Sequence, residues 1–459
     1  MNQTTAPSGS PTRVVILGGG FAGLYTAHTL QKLTRNDPSI ELTLVSRDNY
    51  FQMTPLLFEA GSGVLEPRHA VSPIRPLFDL RAGARFVEAE IRGVDLERKV
   101  VPAQLVHMVP IEIPYDHLVI ALGGVTNTHI VPGSEHAMTF KTLSDAIFLR
   151  NHVIERFEQA DVERDERRKR ALVTFVIVGA GLVGSELQGE LQEFVHNVIK
   201  NYPNVPRDML HFELIEAGKR IMPELDEDLA LYAQDVYRKR GINVRVNTPV
   251  KSIAPGRVIL PSGEVIEAQT IILSTGVVAS PLVAKIDVEK DRKGKVVVDA
   301  TMRSRSHPNV WALGDCASIP GPDGKPYPPL AQHAIREGRA LAENIVNAIK
   351  GRPTRPFVYE SLGTLAALGR FKGVGRVMKF KLRGFPAWFV WRSYYLFQMP
   401  RWNRRLRIMI DWTIALLFSY DVVELDWGRA SRERAAVEKE TQTEQALPSP
   451  SEDQPVAMR

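Results

Sequence analysis

The chain has a single cysteine, Cys316, in 459 residues. One cysteine cannot form an internal disulfide, a Cys-x-x-Cys redox pair or a thiolate zinc site, and its ordinary role is that of a small buried side chain. Long apolar runs are also missing: none approaches the roughly 20 residues that a membrane-spanning helix requires. The opening MNQTTAPSGSPT has no apolar stretch of the kind a secretory signal needs and reads as a loose leader. Acid is absent from one long segment. Ser361 to Ile410 contain no Asp or Glu, against eleven Lys/Arg and ten aromatic residues. The rest is core-forming, with 44% hydrophobic and 24% charged residues, and the length calls for two or three domains. The net charge of +6 is modest for this length, so its distribution matters more than its sum.

The run VVILGGGFAGLYTAHTLQKL (14–33) reads as a buried strand, a glycine turn and a helix, and LTLVSR (42–47) as the next strand. The pattern returns in TFVIVGAGLVGSELQGELQEF (174–194), followed by FELIEA (212–217). Between them, ERFEQADVERDERRKRA (155–171) reads as a solvated helix with Glu and Arg/Lys three or four apart. Two strand–glycine–helix–strand units predict an α/β fold with two Rossmann-type dinucleotide-binding domains.

Gly18-x-Gly20-x-x-Gly23 has the spacing the chemistry demands. The first glycine turns tightly, the second admits a pyrophosphate and the third packs helix on strand, with the phosphate at the helix N-terminus. The competing reading is a purely structural glycine turn. Gly179-x-Gly181-x-x-Gly184 repeats the arrangement, and its following strand ends at Glu216. That carboxylate is placed either to accept from both adenosine ribose hydroxyls, favouring NADH over NADPH, or simply to sit solvated at a strand end; Lys219 and Arg220 nearby would blunt the preference. At the equivalent point of the first unit stand Ser46 and Arg47, not an acid. Two dinucleotide sites in one chain suit a flavin enzyme fed by a nicotinamide.

Further along, YDHLVIALGG (115–124), STGV (274–277) and VWALGDCA (310–317) resemble the internal markers of flavoproteins with two dinucleotide-binding domains. Within these, NYFQMTPLLFEAGSG (49–63), VTNTHIVPG (125–133), GLVGSELQGEL (181–191), PPLAQHAIREG (328–338), GFPAWFVWRSYYL (384–396) and RIMIDWTIALLFSYDVVEL (407–425) are similar to the type II NADH:quinone oxidoreductases. These are single-chain NADH dehydrogenases that do not pump protons. The similarity runs over about residues 13–427, and its last two segments are absent from soluble relatives.

The resemblance implies a layout of leader (1–12), FAD-binding domain in two parts (13–150 and 297–350) around an NADH-binding domain (151–296), membrane-associating module (351–427) and disordered tail (428–459). It implies that Gly18, Gly20 and Gly23 hold the pyrophosphate of a non-covalent FAD, with Ser46, Arg47 and Thr54 in the same cofactor set and Asp315 bonding the ribityl chain. Gly179, Gly181, Gly184, Glu216 and Gly276 would hold NADH. Glu186 falls on the family's functional glutamate beside the nicotinamide and flavin; as a residue early in a helix it reads equally as a dipole partner. Ala331 and Gln332 would line the quinone pocket, with Gln332 acting in catalysis beside Glu186. Three positions depart from the family: Arg336, followed by Glu337, where a second glutamine is common, Thr54 where many relatives have glutamine, and Ser46 for the usual acid.

The basic aromatic stretch 361–410 admits three readings. A nucleic-acid surface lacks any accompanying recognition motif. A folded surface with solvated charge is the second. The third is a helix lying in the interface of an anionic membrane: over 403–418, Arg404, Arg407 and Asp411 share one stripe and apolar residues fill the rest. Trp388, Trp391, Tyr394, Tyr395 and Trp402 would then sit at headgroup depth. The expected protein is peripheral, on the cytoplasmic face of the cell membrane, with a quinone as partner and a homodimer as assembly. Its rivals are a soluble reductase of a ferredoxin or rubredoxin and an NADH-responsive flavoprotein of signalling.

Overall fold

The computed structural model describes residues 10–78, 83–105 and 109–425. The tail expected at 428–459 and most of the expected leader lie outside these residues. Residues up to Val422 form one compact unit, and a second begins at Val423.

The first nucleotide-binding domain is built on a seven-stranded sheet in the order 310–312, 117–120, 12–17, 40–46, 84–91, 100–105, 110–114. Its first five strands run parallel and the last two antiparallel. The inner strands are apolar on both faces, as a sheet covered on each side requires. Helix α1 (Phe21–Leu33) follows the central strand. It packs against α8 (Ala331–Ile349), which arrives more than 300 residues later in the chain. Their crossing is tight at Gly338, where a Cβ would stand 2.8 Å from the Ala22 carbonyl oxygen. Helix α2 (Leu57–Ser62) is buried along its whole length.

The second domain repeats the plan with five parallel strands in the order 138–139, 270–273, 174–178, 211–215, 242–245. Its entirely buried strand Thr174–Val178 leads through the second glycine turn into α5 (Leu182–Val198). Helices α6 (Glu227–Lys239) and α7 (Pro281–Ala284) follow. The segment expected as one solvated helix at 155–171 is two helices. Helix α3 (Leu143–Val162) opens on a Thr142/Asp145 capping box and buries Val153, Ile154, Phe157 and Ala160. The chain then breaks and restarts as α4 (Glu166–Leu172), capped by Asp165, whose carboxylate accepts from the Arg168 amide. A capping aspartate begins a new helix more readily than it continues an old one, and the charge pattern concealed the apolar stripe.

The C-terminal module begins with an antiparallel sheet of Gly363–Ala367, Gly373–Val377 and Phe380–Arg383. Two helices complete it, α9 (Phe385–Gln398) and α10 (Trp402–Leu417). Among the described residues, no helix is long and apolar enough to cross a membrane.

Candidate functional site

The two glycine turns are built alike. Gly18 and Gly179 adopt φ of +110° and +99°, and a Cβ on either would stand 2.3 Å from a carbonyl oxygen, of Ala121 and Ser274 respectively. A Cβ on Gly23 would meet the Gly18 oxygen at 1.9 Å, and one on Gly184 the Gly179 oxygen at 2.0 Å. No other residue fits these positions. At Gly20, by contrast, no atom lies within 4 Å of the Cβ position. This is the open approach that a pyrophosphate uses, and the amides that start α1 have no capping side chain there. Ser46 ends the adjacent strand, buried, with its hydroxyl against Gly19. These features fit the diphosphate and ribose of FAD. Arg47 points outward and pairs with Asp48 at 3.5 Å. In the second turn Glu216 accepts from the Ala180 and Gly218 amides, each at 2.7 Å, which fixes its carboxylate at the tip of the glycine loop. Arg220 turns away to the Pro223 and Leu225 carbonyl oxygens.

The domains meet where Gly124–Thr126 pairs with Val277–Ala279. The Asn127 amide donates to the Gly276 oxygen at 3.1 Å, and Gly124 lies against both Val277 and Asp315. Asp315 pairs with Lys141 at 3.5 Å. The amide of the neighbouring Gly314 donates to buried Glu337 at 2.8 Å, and burial pushes the Glu337 carboxyl up to about 7. Thr54 opens a short 3₁₀ turn and lies 3.4 Å from the amide nitrogen of Gln52.

One strand of the C-terminal module joins the two expected catalytic side chains. Gln332, in the first turn of α8, donates from Nε2 to the Gly363 oxygen and the Ser361 hydroxyl, both at 3.1 Å, and accepts from the Tyr359 hydroxyl at 3.2 Å. At the far end of Gly363–Ala367, the Ala367 amide donates to Glu186 Oε1 at 3.0 Å. Glu186 therefore faces out of its own helix toward the module and does not act as a partner of its N-terminus. Burial pushes its carboxyl up to about 8, against the pull of the Ala367 amide. Arg336 donates to the Gln332 backbone oxygen at 2.9 Å and covers the Tyr359 ring.

The pyridine nucleotide-disulphide oxidoreductase family profile matches residues 12–338, and an NDH2 C-terminal domain matches 361–421. A probable NADH dehydrogenase of Dictyostelium discoideum is 33% identical over 419 residues, covering 89% of this chain and 90% of that one. The chain belongs to the type II NADH:quinone oxidoreductases.

Another member, NdhA of Mycobacterium tuberculosis, is 28% identical over 437 residues, covering 90% of each chain. In fold, the chain is similar to NDH2 of Plasmodium falciparum in complex with NADH: the TM-score is 0.83 at 20% identity, covering 90% of this chain and 99% of that one. The fold is thus the α/β fold of this family. The paired-cysteine chemistry in the wider family's name is closed to this member. Its one cysteine is buried, donates to the Ile120 and Leu313 carbonyl oxygens, and is pushed by burial up to about 12.

The module departs from the sequence expectation in two respects. Trp388 and Trp391, expected at headgroup depth, are 6% and 1% exposed and pack inside the protein, whereas Trp402 is 74% exposed. The outward aromatic residues of α9 are Phe385, Phe389 and Phe397. Nor is the basic segment a uniformly free cationic face. Arg376 and Lys381 pair with Asp226, Lys381 and Arg383 with Asp228, and Arg392 with Glu59. Asp411, expected on the polar stripe, points inward to His69 at 2.5 Å. Arg407 of that stripe stays exposed, but most of what α10 turns outward is apolar: Leu406, Met409, Ile410, Ile414 and Leu417.

Sequence reasoning missed Glu59, Gln52, Lys141 and Tyr359. Of these only Glu59 carried a signal, a lone acid in the apolar run TPLLFEAG. Gln52 receives the Leu143 amide at 2.9 Å and so tethers the Thr54 loop to the start of α3.

Proposed function

We infer that this chain oxidises NADH and reduces a quinone, with a non-covalent FAD between the two substrates and without pumping protons. FAD, when bound, supplies the hydride acceptor and releases electrons in pairs. The Gly18–Gly23 turn and Asp315 hold it, and the Gly179–Gly184 turn, Glu216 and Gly276 hold NADH. Glu216 is already oriented by two backbone amides, so it offers its remaining lone pairs to ribose hydroxyls and repels a 2′-phosphate. Ala331 and Gln332 border the quinone pocket. Glu186 holds a proton near it, which a buried carboxyl pushed upward does at neutral pH. The observation that carries this reading is the strand Gly363–Ala367, which binds Gln332 at one end and Glu186 at the other. A soluble ferredoxin reductase has no use for a module in that place.

The same reading seats the protein on a membrane through the apolar outer faces of α9 and α10, on the cytoplasmic side and as a pair of copies. A greasy quinone then reaches the site without leaving the lipid. The test is multiple-turnover NADH oxidation by FAD-loaded protein with a water-soluble quinone analogue, compared with a ferredoxin. Fast turnover with the quinone alone supports the reading; turnover with the ferredoxin alone, or with neither, refutes it. Flotation with anionic vesicles and sedimentation of the free protein test the seat and the pairing.

A further inference from the structure

Reducing a quinone to a quinol takes two electrons and two protons, whereas NADH brings two electrons and one proton. Each turnover (NADH + H⁺ + quinone → NAD⁺ + quinol) therefore draws one proton from solution, and a site enclosed by protein needs a route for it.

Helix α5 carries Glu186, Glu190 and Glu193, spaced four and then three apart, so that they share one face. At 1.5 Å rise per residue the stripe runs for roughly 10 Å along the helix. It passes from inside to outside: Glu186 and Glu190 are 7% and 5% exposed. The Glu193 side chain is 27% exposed and pairs with Arg240 at 2.8 Å. Burying the middle carboxylate as an anion would be costly without a dedicated cation. The guanidinium facing it is Arg392, and Glu59 already takes that group's Nε and Nη2, at 2.9 and 2.7 Å. Three carboxyl groups, Glu59, Glu190 and Glu193, thus share two cations, Arg392 and Arg240, each already committed to a carboxylate other than Glu190. Toward Glu190 itself stands the Ser62 hydroxyl, at 3.4 Å. The other charged or titratable groups facing it are Glu193 and Arg240, with Tyr237 and Tyr420 alongside. The pocket balances when Glu190 carries a proton, and burial pushes its carboxyl upward.

We propose that Glu190 is a proton-relay residue, passing a proton that enters at Glu193 to Glu186 and so to the quinone pocket. In each cycle the Glu190 O–H bond breaks as an O–H bond forms on Glu186. Glu190 is then reprotonated from the solvent end, and no electrons move within the relay. The proposal rests on the reading of Glu186 as the proton holder nearest the site.

The test uses full-length, FAD-loaded enzyme followed by stopped flow. Glu190→Gln should leave bleaching by NADH at the wild-type rate and slow recolouring by a quinone analogue about tenfold or more. The deficit should grow as pH rises from about 6 to about 9, the solvent deuterium isotope effect should increase, and Glu190→Asp should restore part of the rate. Glu193→Gln, at the exposed end, should give a milder deficit of the same kind and covers the case in which the buried variant folds poorly. Wild-type recolouring in Glu190→Gln at every pH, with Glu186→Gln slow, overturns the relay and spares Glu186. Wild-type recolouring in both overturns the reading of Glu186 as well.

Discussion

Glu59 on α2 and Arg392 on α9 meet in a two-point ion pair, with Arg392 Nε and Nη2 donating to Glu59 Oε1 at 2.9 and 2.7 Å. The Trp412 indole donates to the other oxygen at 2.5 Å, and the guanidinium lies over the Trp388 and Trp412 rings at 4.4 and 4.5 Å. One buried carboxylate thus joins both C-terminal helices to the first domain. Removing one partner of such a pair leaves an uncompensated charge and costs about 3–5 kcal/mol. Arg392→Met is expected to lower denaturant stability by that amount, and a loss below about 1 kcal/mol would show that the clasp holds nothing.

The two glycine turns can be separated by substitution. Gly184→Ala, with its Cβ 2.0 Å from the Gly179 oxygen, should leave the protein yellow and abolish bleaching by NADH. Gly23→Ala, with its Cβ 1.9 Å from the Gly18 oxygen, should lose the flavin itself. Flavin content per chain and an NADH titration check both, and a colourless Gly184→Ala protein would contradict the assignment of the second turn.

These turns were also the part most legible in the sequence. Glycine spacing reports a steric demand of the backbone itself, so both domains, and the residues Gly18–Gly23 and Gly179–Gly184, could be read without coordinates. Glu186 could be singled out as a candidate, but its hydrogen-bonding partner Ala367 lies 181 residues away and has no side-chain signal. Trp388 and Trp391 were misplaced for a related reason. Composition marks an amphipathic ring but not the direction it faces, and Trp388 turns inward, packed against Arg392 and Phe371. The acids that neutralise the basic segment, Asp226 and Asp228, belong to another domain.

Glu186 gives the folded state a pH dependence with a definite sign. Its acidity shifts from 4.5 to about 8, so its contribution to stability is fully present in acid and is lost as pH climbs through that interval. The slope is at most about 1.4 kcal/mol per pH unit. Glu186→Gln, which cannot ionise, should have a melting temperature that falls less than the wild type's between about pH 5 and about pH 8. Parallel melting curves would mean that the carboxyl ionises freely.

Attachment to lipid is expected to depend on the apolar faces more than on charge. Phe389 and Ile414 are 56% and 51% exposed. Burying each in lipid is worth about 1.5–3 kcal/mol, so Phe389→Asp with Ile414→Asp should weaken vesicle binding about a hundredfold or more. Moderate salt should weaken it less, because Arg376, Lys381, Arg383 and Arg392 are engaged within the protein and, of the three arginines on α10, Arg407 alone is exposed. Complete release by salt alone would reverse that ranking.

The most direct measurement is an anaerobic stopped-flow titration of the purified, flavin-loaded protein. One equivalent of NADH should bleach the flavin, and one equivalent of quinone should restore its colour at a rate compatible with turnover. Protein that takes up no flavin, or bleached protein that quinone fails to recolour, would contradict the account.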